Sequence, residues 1–266
     1  MKPEISIILP AIRQENWDSM YDSIVMSTSK SFELIICGPY PLTDKLQKLQ
    51  NVKYVKDYGS PTRASAIASL LAEGKLITWI TDDAVLMPDA LNLAVDTLYS
   101  MGDDHKNVVI TKYLEGKSGT QKLHQPDYYY KINGQEGFRP CTYSPYIPDE
   151  WWIFNTALMY RSFFEELGGL DCNFEHAAMA DTDFAIRAQA QGANVKITQI
   201  LMYDCDHGQE DHKPIEIAQI GFDEPLIQSK YRDPKWKEKL KTKININNWK
   251  NFPSVWTRRF EIEEKT

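Results

Sequence analysis

The sequence is short of several things that would each fix a function class. No apolar run approaches the ~20 residues that span a bilayer, and the opening Ile5–Leu9 stretch stops at Pro10, too short for a signal-peptide core. Cysteines are few: Cys37, Cys141, Cys172 and Cys205 lie far apart, and none forms a CxxC pair. That spacing disfavours a zinc cluster or a disulfide scaffold and leads us to expect reduced thiols in a cytoplasmic protein. No excess of basic charge is present, since 30 Lys and Arg face 37 Asp and Glu for a net charge of -7, which argues against a dedicated nucleic-acid binder. The segment after the first apolar stretch, Pro10-Ala11-Ile12-Arg13-Gln14, lacks the glycines of a phosphate-cradling loop. There is neither an internal repeat nor a low-complexity tract. What remains is ordinary globular material: 266 residues with 42% hydrophobic, 25% charged and 12% aromatic positions. A chain of this length buries about 75% of its unfolded surface, enough for one large core.

The first 110 or so residues alternate between two periods. Ile5–Leu9, Leu34–Cys37, Val52–Val55, Leu76–Ile80 and Val108–Ile110 read as short buried strands. Between them, Trp17–Ser27, Leu42–Leu49 and a segment opening at Pro88 have helical periodicity. Ser60 has the character of an N-cap with Pro61 at the first helical position, ahead of the inner stripe Ala64, Ile67, Ala68 and Leu71. Strands alternating with helices predict a doubly wound, mostly parallel α/β sheet. Ligands in such sheets bind beyond the carboxyl ends of the strands. From Lys112 to Trp152 the period is lost in a Tyr-, Pro- and Gly-containing stretch, expected to be loops or short hairpins. Ile153–Tyr160 and Val195–Leu201 then read as strands, and Ser162–Leu167 and Asp181–Gln191 as helices. We expect a catalytic domain over 1–222, with halves 1–111 and 112–222, and an extension over 223–266. Between Gln228 and Arg259 that extension carries ten Lys or Arg against Asp233 and Glu238, a local +8, which leaves -15 on the rest of the chain.

Four groups of residues are chemically suggestive. Thr81-Asp82-Asp83 closes the fourth strand; adjacent carboxylates there suit a hard divalent cation with phosphate oxygens, or one of them caps a turn. Asp171, Asp181 and Asp183 lie in a loop leading into a helix, where the last two could equally be first-turn residues favoured by the helix dipole. His207 follows the last strand, as a metal contact or an ordinary polar residue. Arg63, in the first turn after Ser60, is placed either to meet an anion or to form a salt bridge.

Taken in order, these pieces resemble glycosyltransferase family 2 of the GT-A fold. The resemblance runs from Ile7-Ile8-Leu9-Pro10 through Glu33–Ile36, Arg63, Leu76–Asp83, Pro88–Leu91, Gly168-Gly169-Leu170-Asp171 and Asp181-Thr182-Asp183-Phe184 to Arg187 and His207. It implies an inverting, metal-dependent hexosyltransferase that draws on a nucleoside diphosphate sugar, with UDP the nucleotide expected and Mn2+ or Mg2+ the cofactor. Asp83 would be the metal ligand, with Asp82 contacting the ribose or a metal-bound water, and His207 a further metal contact. Pro10, Ala11 and Arg13 match the loop against the nucleotide, and Cys37 and Gly38 the strand end that reads the base, with Tyr40 stacked on it. Arg63 is carried over with the donor-binding set. Asp181 matches the base that deprotonates the acceptor hydroxyl. Three departures stand out: Thr81 replaces the first acid of the metal motif, Ala180 replaces a Glu, and Cys37-Gly38-Pro39-Tyr40 replaces an Asp-Asp-Gly-Ser run.

The acceptor, a carbohydrate, glycolipid or glycoprotein hydroxyl, is expected near Trp151, Trp152 and Asp183, because aromatic faces pack on sugar rings. The basic extension suits peripheral contact with an anionic membrane, or docking on the acidic body. Two other readings compete: a nucleotidyltransferase, which the missing glycine-rich loop disfavours, and a catalytically lapsed sugar-binding module, which the three departures favour.

Overall fold

The computed structural model describes residues 2–116, 122–124, 129–132, 135–138, 146–148, 151–205 and 218–251. In chain order these form β1 (Ile5–Pro10), α1 (Trp17–Ser27), β2 (Phe32–Gly38), β3 (Val52–Lys56), α2 (Pro61–Ser69), β4 (Leu76–Trp79), β5 (Ala84–Leu86) and α3 (Ala90–Ser100). There follow β6 (Asn107–Glu115), β7 (Lys122–His124), β8 (Tyr129–Ile132), β9 (Gln135–Phe138), β10 (Ala157–Tyr160), α4 (Arg161–Leu167), α5 (Ala177–Ala190) and β11 (Asn194–Cys205). A π-helical turn at Gln219–Asp223 leads into α6 (Glu224–Tyr231), and a short helix follows at Trp236–Lys239.

The main sheet has the order β3-β2-β1-β4-β10-β6-β11-β5, with β7 paired to β6. β1 runs parallel to both β2 and β4, β2 to β3, and β6 to β11; β10 and β5 are the antiparallel members of that path. The sheet is thus a mostly parallel α/β sheet of the expected class. Alternation along β1 divides the core: Ile5, Ile7 and Leu9 pack with Trp17 and Ile24 of α1 and Leu91 and Leu98 of α3. Ile8 faces the opposite layer, which holds Ile67 of α2, Phe164 of α4 and Phe184 of α5.

The boundaries shift where local chemistry overrides periodicity. The helix expected over Leu42–Leu49 is one 3-10 turn at Leu46–Lys48, because only Leu46 is buried in it and the Thr43 hydroxyl caps its amide. Helix α5 begins at Ala177, where His176 Nδ1 accepts from the Ala178 amide at 3.1 Å, so Asp181 lies in its second turn. Ser60 caps α2 as its sequence position predicts, accepting from the Arg63 amide at 3.2 Å. β5 has no counterpart in the sequence reading, since its three residues are held in place by β11. Within the Tyr-rich stretch, β8 and β9 pair as a short antiparallel hairpin.

The segment expected as an extension is packed into the main body. Ile227, Tyr231 and Trp236 join the same hydrophobic cluster as α2, α4 and α5. Its charges also meet acids of the body: Lys230 pairs with Asp171 and Asp183, and Lys243 with Glu166.

Candidate active site

Three neighbouring strand ends build one wall. Where β1 stops at Pro10, the Ala11 amide donates to the Cys37 carbonyl at 2.9 Å and ties the loop after β1 to the end of β2. The contact is so close that a Cβ on Gly38 would stand 1.8 Å from the Ala11 carbonyl oxygen, which excludes any side chain there. The next strand out, β3, is followed directly by Asp57, whose amide donates to the Gly38 carbonyl at 3.1 Å. Its carboxylate is buried and accepts from Arg63 Nε at 3.1 and 3.2 Å and from the Gly59 amide at 2.8 Å.

On the other side of β1, β4 delivers Thr81, Asp82 and Asp83. Both carboxylates are buried, at 3% and 7% exposure. Asp82 Oδ2 accepts from the amides of Ile12 and Arg13 at 2.6 and 2.5 Å, and Oδ1 from the Arg13 guanidinium at 2.5 Å. Burial nevertheless pushes the Asp82 carboxyl above the usual value, with the Asp83 charge adding to the rise and Arg13 and the two amides opposing it. Asp83 Oδ2 lies 3.4 Å from the same Arg13 nitrogen, while Oδ1 accepts from the Cys205 thiol at 3.0 Å.

These groups open on a cavity of about 480 Å³ whose far wall comes from α5 and the ends of β6 and β11. Pro10, Ala11, Arg13, Cys37, Gly38, Asp82, Asp83 and Asp181 all line it. Asp181 is its most unusual member. It is 6% exposed, and neither its Oδ1 nor the Nε1 of Trp79 has a hydrogen-bond partner. Burial pushes its carboxyl well above the ordinary value, opposed only by the neighbouring Trp79 N–H, which lies outside hydrogen-bond geometry. A buried carboxylate oxygen without a donor is rare in a folded protein and calls for an explanation. The Cys37 thiol is likewise pushed up by burial and the Asp57 charge, which keeps it protonated and removes it as a nucleophile.

Other residues expected at the site lie elsewhere. Arg63 does not face the cavity: its guanidinium is spent on Asp57 and on the Trp249 carbonyl at 2.7 Å, with its centre 5.2 Å from the Trp249 ring. It therefore braces Asp57 in place of meeting an anion. Asp183 has no exposed surface and is held by Arg187, Lys230 and Tyr231, so an acceptor cannot reach it. Trp151 packs edge-on against Trp236 with centroids 5.8 Å apart, and the Trp152 backbone is clamped by Gln189; neither lines the cavity. Tyr40 is half exposed and also outside the lining. His207 lies outside the described residues.

The sequence reading missed Asp57, Tyr113, Glu115, Asn155, His176, Tyr203, Cys205 and Gln219, all in the lining. Asp57 was within reach, since it follows a strand just before the Ser60 cap. Tyr113, Glu115, Tyr203 and Cys205 were not, because β6 and β11 run on to this edge well past their apolar centres.

Among the described residues no three His, Cys, Asp or Glu side chains form a ready-made metal cage. The donor set still fits a hard dication of the Mg2+ or Mn2+ type, which takes one or two carboxylates and completes its shell with phosphate oxygens and water. Asp83 offers such a carboxylate at the cavity wall, with the Arg13 guanidinium 3.4 Å away as its present counter-charge.

No family model matches this sequence, and no curated protein matches it. Solved structures do. The S. aureus TarS 1–349 structure in complex with UDP is similar with a TM-score of 0.57 at 16% identity, over 87% of this chain and 70% of that one. TarS 1–349 in a second structure gives 0.56 at 15%, over 94% and 71%. A longer TarS structure gives 0.55 at 16%, with this chain spanning only 38% of it. TarS is a glycosyltransferase of GT-A-like type, and at these identities the likeness is one of fold: the chain has a GT-A-like α/β architecture. No helix among the described residues is long and apolar enough to cross a membrane.

Proposed function

We propose that the chain is an inverting glycosyltransferase that moves a sugar from a nucleoside diphosphate sugar to an acceptor hydroxyl. The observation that carries the reading is the unpartnered Asp181 oxygen, buried on the wall of the same cavity that Asp82 and Asp83 close. A fold like that of a UDP-bound structure supports the donor class.

The donor's base would sit where β1, β2 and β3 end. Asp57 is an acceptor-only group there, steadied by Arg63 and Gly59, and it suits the imide N–H of uracil. That supplies base recognition in a chain whose second strand ends Cys37-Gly38-Pro39 without a carboxylate. The diphosphate would lie toward Arg13 and Asp83, with Asp83 holding Mn2+ or Mg2+. When bound, such an ion contributes Lewis-acid charge against the negative charge that develops on the departing diphosphate. Asp181 takes the acceptor proton as the hydroxyl oxygen attacks the anomeric carbon in line with the breaking bond. A carboxyl raised well above the ordinary value is a stronger base, once ionised, than an ordinary aspartate. Ala180 lies in the core cluster and outside the cavity lining, so its replacement of an acid need not remove a catalytic group.

Thermal shift with UDP, with and without Mn2+, tests the donor site, because a ligand bound only to the folded state raises the melting temperature. Slow Mn2+-dependent hydrolysis of a UDP-sugar that disappears in Asp83→Ala is the expected companion result. No shift with any nucleoside diphosphate, together with no hydrolysis, sinks the reading in favour of a lapsed module; pyrophosphate release from a nucleoside triphosphate would favour a nucleotidyltransferase. The exposed Lys237, Lys241 and Lys250 also support peripheral contact with anionic lipid. Truncation cannot test this, because Tyr231 and Trp236 belong to the core. Changing these three lysines to Glu should lower recovery on phosphatidylserine vesicles, and undiminished recovery removes the idea.

A further inference from the structure

We infer that Arg13 is a resident counter-cation of the Asp82–Asp83 pair that gives up Asp83 to the dication once a diphosphate takes its guanidinium, so that metal and nucleotide bind as a coupled pair. The inference deepens the proposed donor site and rests on that reading.

The geometry separates what must stay from what can move. Asp82 is fixed by two backbone donors, the Ile12 and Arg13 amides, and these bonds do not depend on where the Arg13 side chain points. The guanidinium adds one close contact to Asp82 at 2.5 Å and a looser one to Asp83 at 3.4 Å. Asp83 Oδ1 meanwhile accepts from the Cys205 thiol at 3.0 Å. Asp83 therefore keeps an orienting donor if the guanidinium departs, while the negative charge that Arg13 offsets becomes available to another cation.

The Arg13 side chain is 18% exposed, and Arg13, Asp82 and Asp83 all line the cavity. A dication on Asp83 would stand beside a guanidinium only 3.4 Å from that carboxylate, and the two positive charges repel strongly where water is scarce. A diphosphate resolves the conflict. Its oxygens match the planar guanidinium fork, and its negative charge offsets the dication. Metal alone then competes with Arg13; metal with diphosphate does not. Coupling of this kind is reciprocal, so the metal must tighten nucleotide binding by the same factor.

The test measures Mn2+ binding to the full chain by electron paramagnetic resonance, with and without UDP, for wild type and Arg13→Gln. Glutamine can still donate to Asp82 but carries no charge. Wild type should bind Mn2+ at least about 10-fold more tightly when UDP is present. Arg13→Gln should bind Mn2+ alone about 10-fold more tightly than wild type and show correspondingly less gain from UDP. Arg13→Lys keeps the charge and loses the fork, so Mn2+ alone should bind as weakly as to wild type while UDP binds less well. It also serves if the glutamine variant fails to fold. Equal or weaker binding of Mn2+ alone to Arg13→Gln overturns the inference, as does tighter binding of Mn2+ alone to Arg13→Lys. If UDP binds none of the proteins, the donor reading fails, and the Mn2+-only arm still decides the role of Arg13.

Discussion

Asp181 and Asp183 sit two residues apart on α5, about 200° apart around the helix, and differ in almost everything except burial. Asp183 Oδ2 accepts from Arg187 Nε at 2.7 Å, and Oδ1 accepts from the Tyr231 hydroxyl at 2.6 Å and from Lys230. Burial alone would raise its carboxyl, but Arg187, Lys230 and Tyr231 outweigh that and hold it below the usual value. Asp181 has an oxygen with no donor in hydrogen-bond geometry, and burial raises the carboxyl against only the neighbouring Trp79 N–H. The same side chain is thus fully partnered on one face and short of a donor on the other. What decides is whether the fold supplies donors. Asp183 ties α5 to α6, and Arg187 extends the tie through the carbonyls of Leu167 and Gly169 at 2.8 and 2.6 Å. Asp181 is thereby presented to the cavity on a helix that its neighbour holds still.

Three substitutions press on this contrast. Asp181→Asn should have the largest effect on activity, lowering transfer about 10²–10⁴-fold in a steady-state assay while leaving the fold intact. A variant with wild-type turnover would remove Asp181 as the base. On the other face the loss should be structural. Arg187→Met leaves a buried charge short of its main partner and should cost about 3–5 kcal/mol in urea unfolding. Tyr231→Phe removes one hydrogen bond to a charged acceptor, for a smaller loss of about 1.5–3 kcal/mol. Should Tyr231→Phe leave stability untouched, the tie between α5 and α6 is weaker than its geometry implies.

How much of this was readable in advance follows the range of the interactions involved. The mostly parallel sheet, the Ser60 cap and the carboxyl-edge location of Asp82 and Asp83 are set by local periodicity and short crossovers, and they were legible. The difference between Asp181 and Asp183 was not, because two of the three donors to Asp183, beside Arg187 one turn on, come from residues 47 and 48 positions later. In the sequence both are acids near a helix start, and Asp183 was accordingly expected to touch the acceptor. Arg63 was left between an anion and a salt bridge, although carried over with the donor-binding set; the salt bridge to Asp57 and the distant Trp249 carbonyl decide it. The extension expected over 223–266 looked separable by charge, and only packing reveals that Ile227, Tyr231 and Trp236 are core residues.

The smallest effect tests the contrast most directly, through pH. A carboxyl raised in the folded state binds more protons there than in the unfolded chain, so its contribution to stability is present below the ordinary carboxylate value and is lost as pH rises through the raised one. Asp183 has the opposite sign: its contribution is present above the ordinary value and is lost as pH falls through the lowered one. Unfolding free energies of wild type and Asp181→Asn, measured from about pH 4 to about pH 7, should therefore diverge, wild type falling relative to the variant by at most about 1.4 kcal/mol per pH unit. The acid-side loss that Asp183 causes should be common to both proteins and cancel in the difference. Over the interval in which wild type loses that stability its activity should climb, because the same deprotonation that strands a charge in the cavity wall creates the base. A stability difference that stays flat while activity climbs would mean that the titrating group lies elsewhere and that the orphaned oxygen of Asp181 is structural after all.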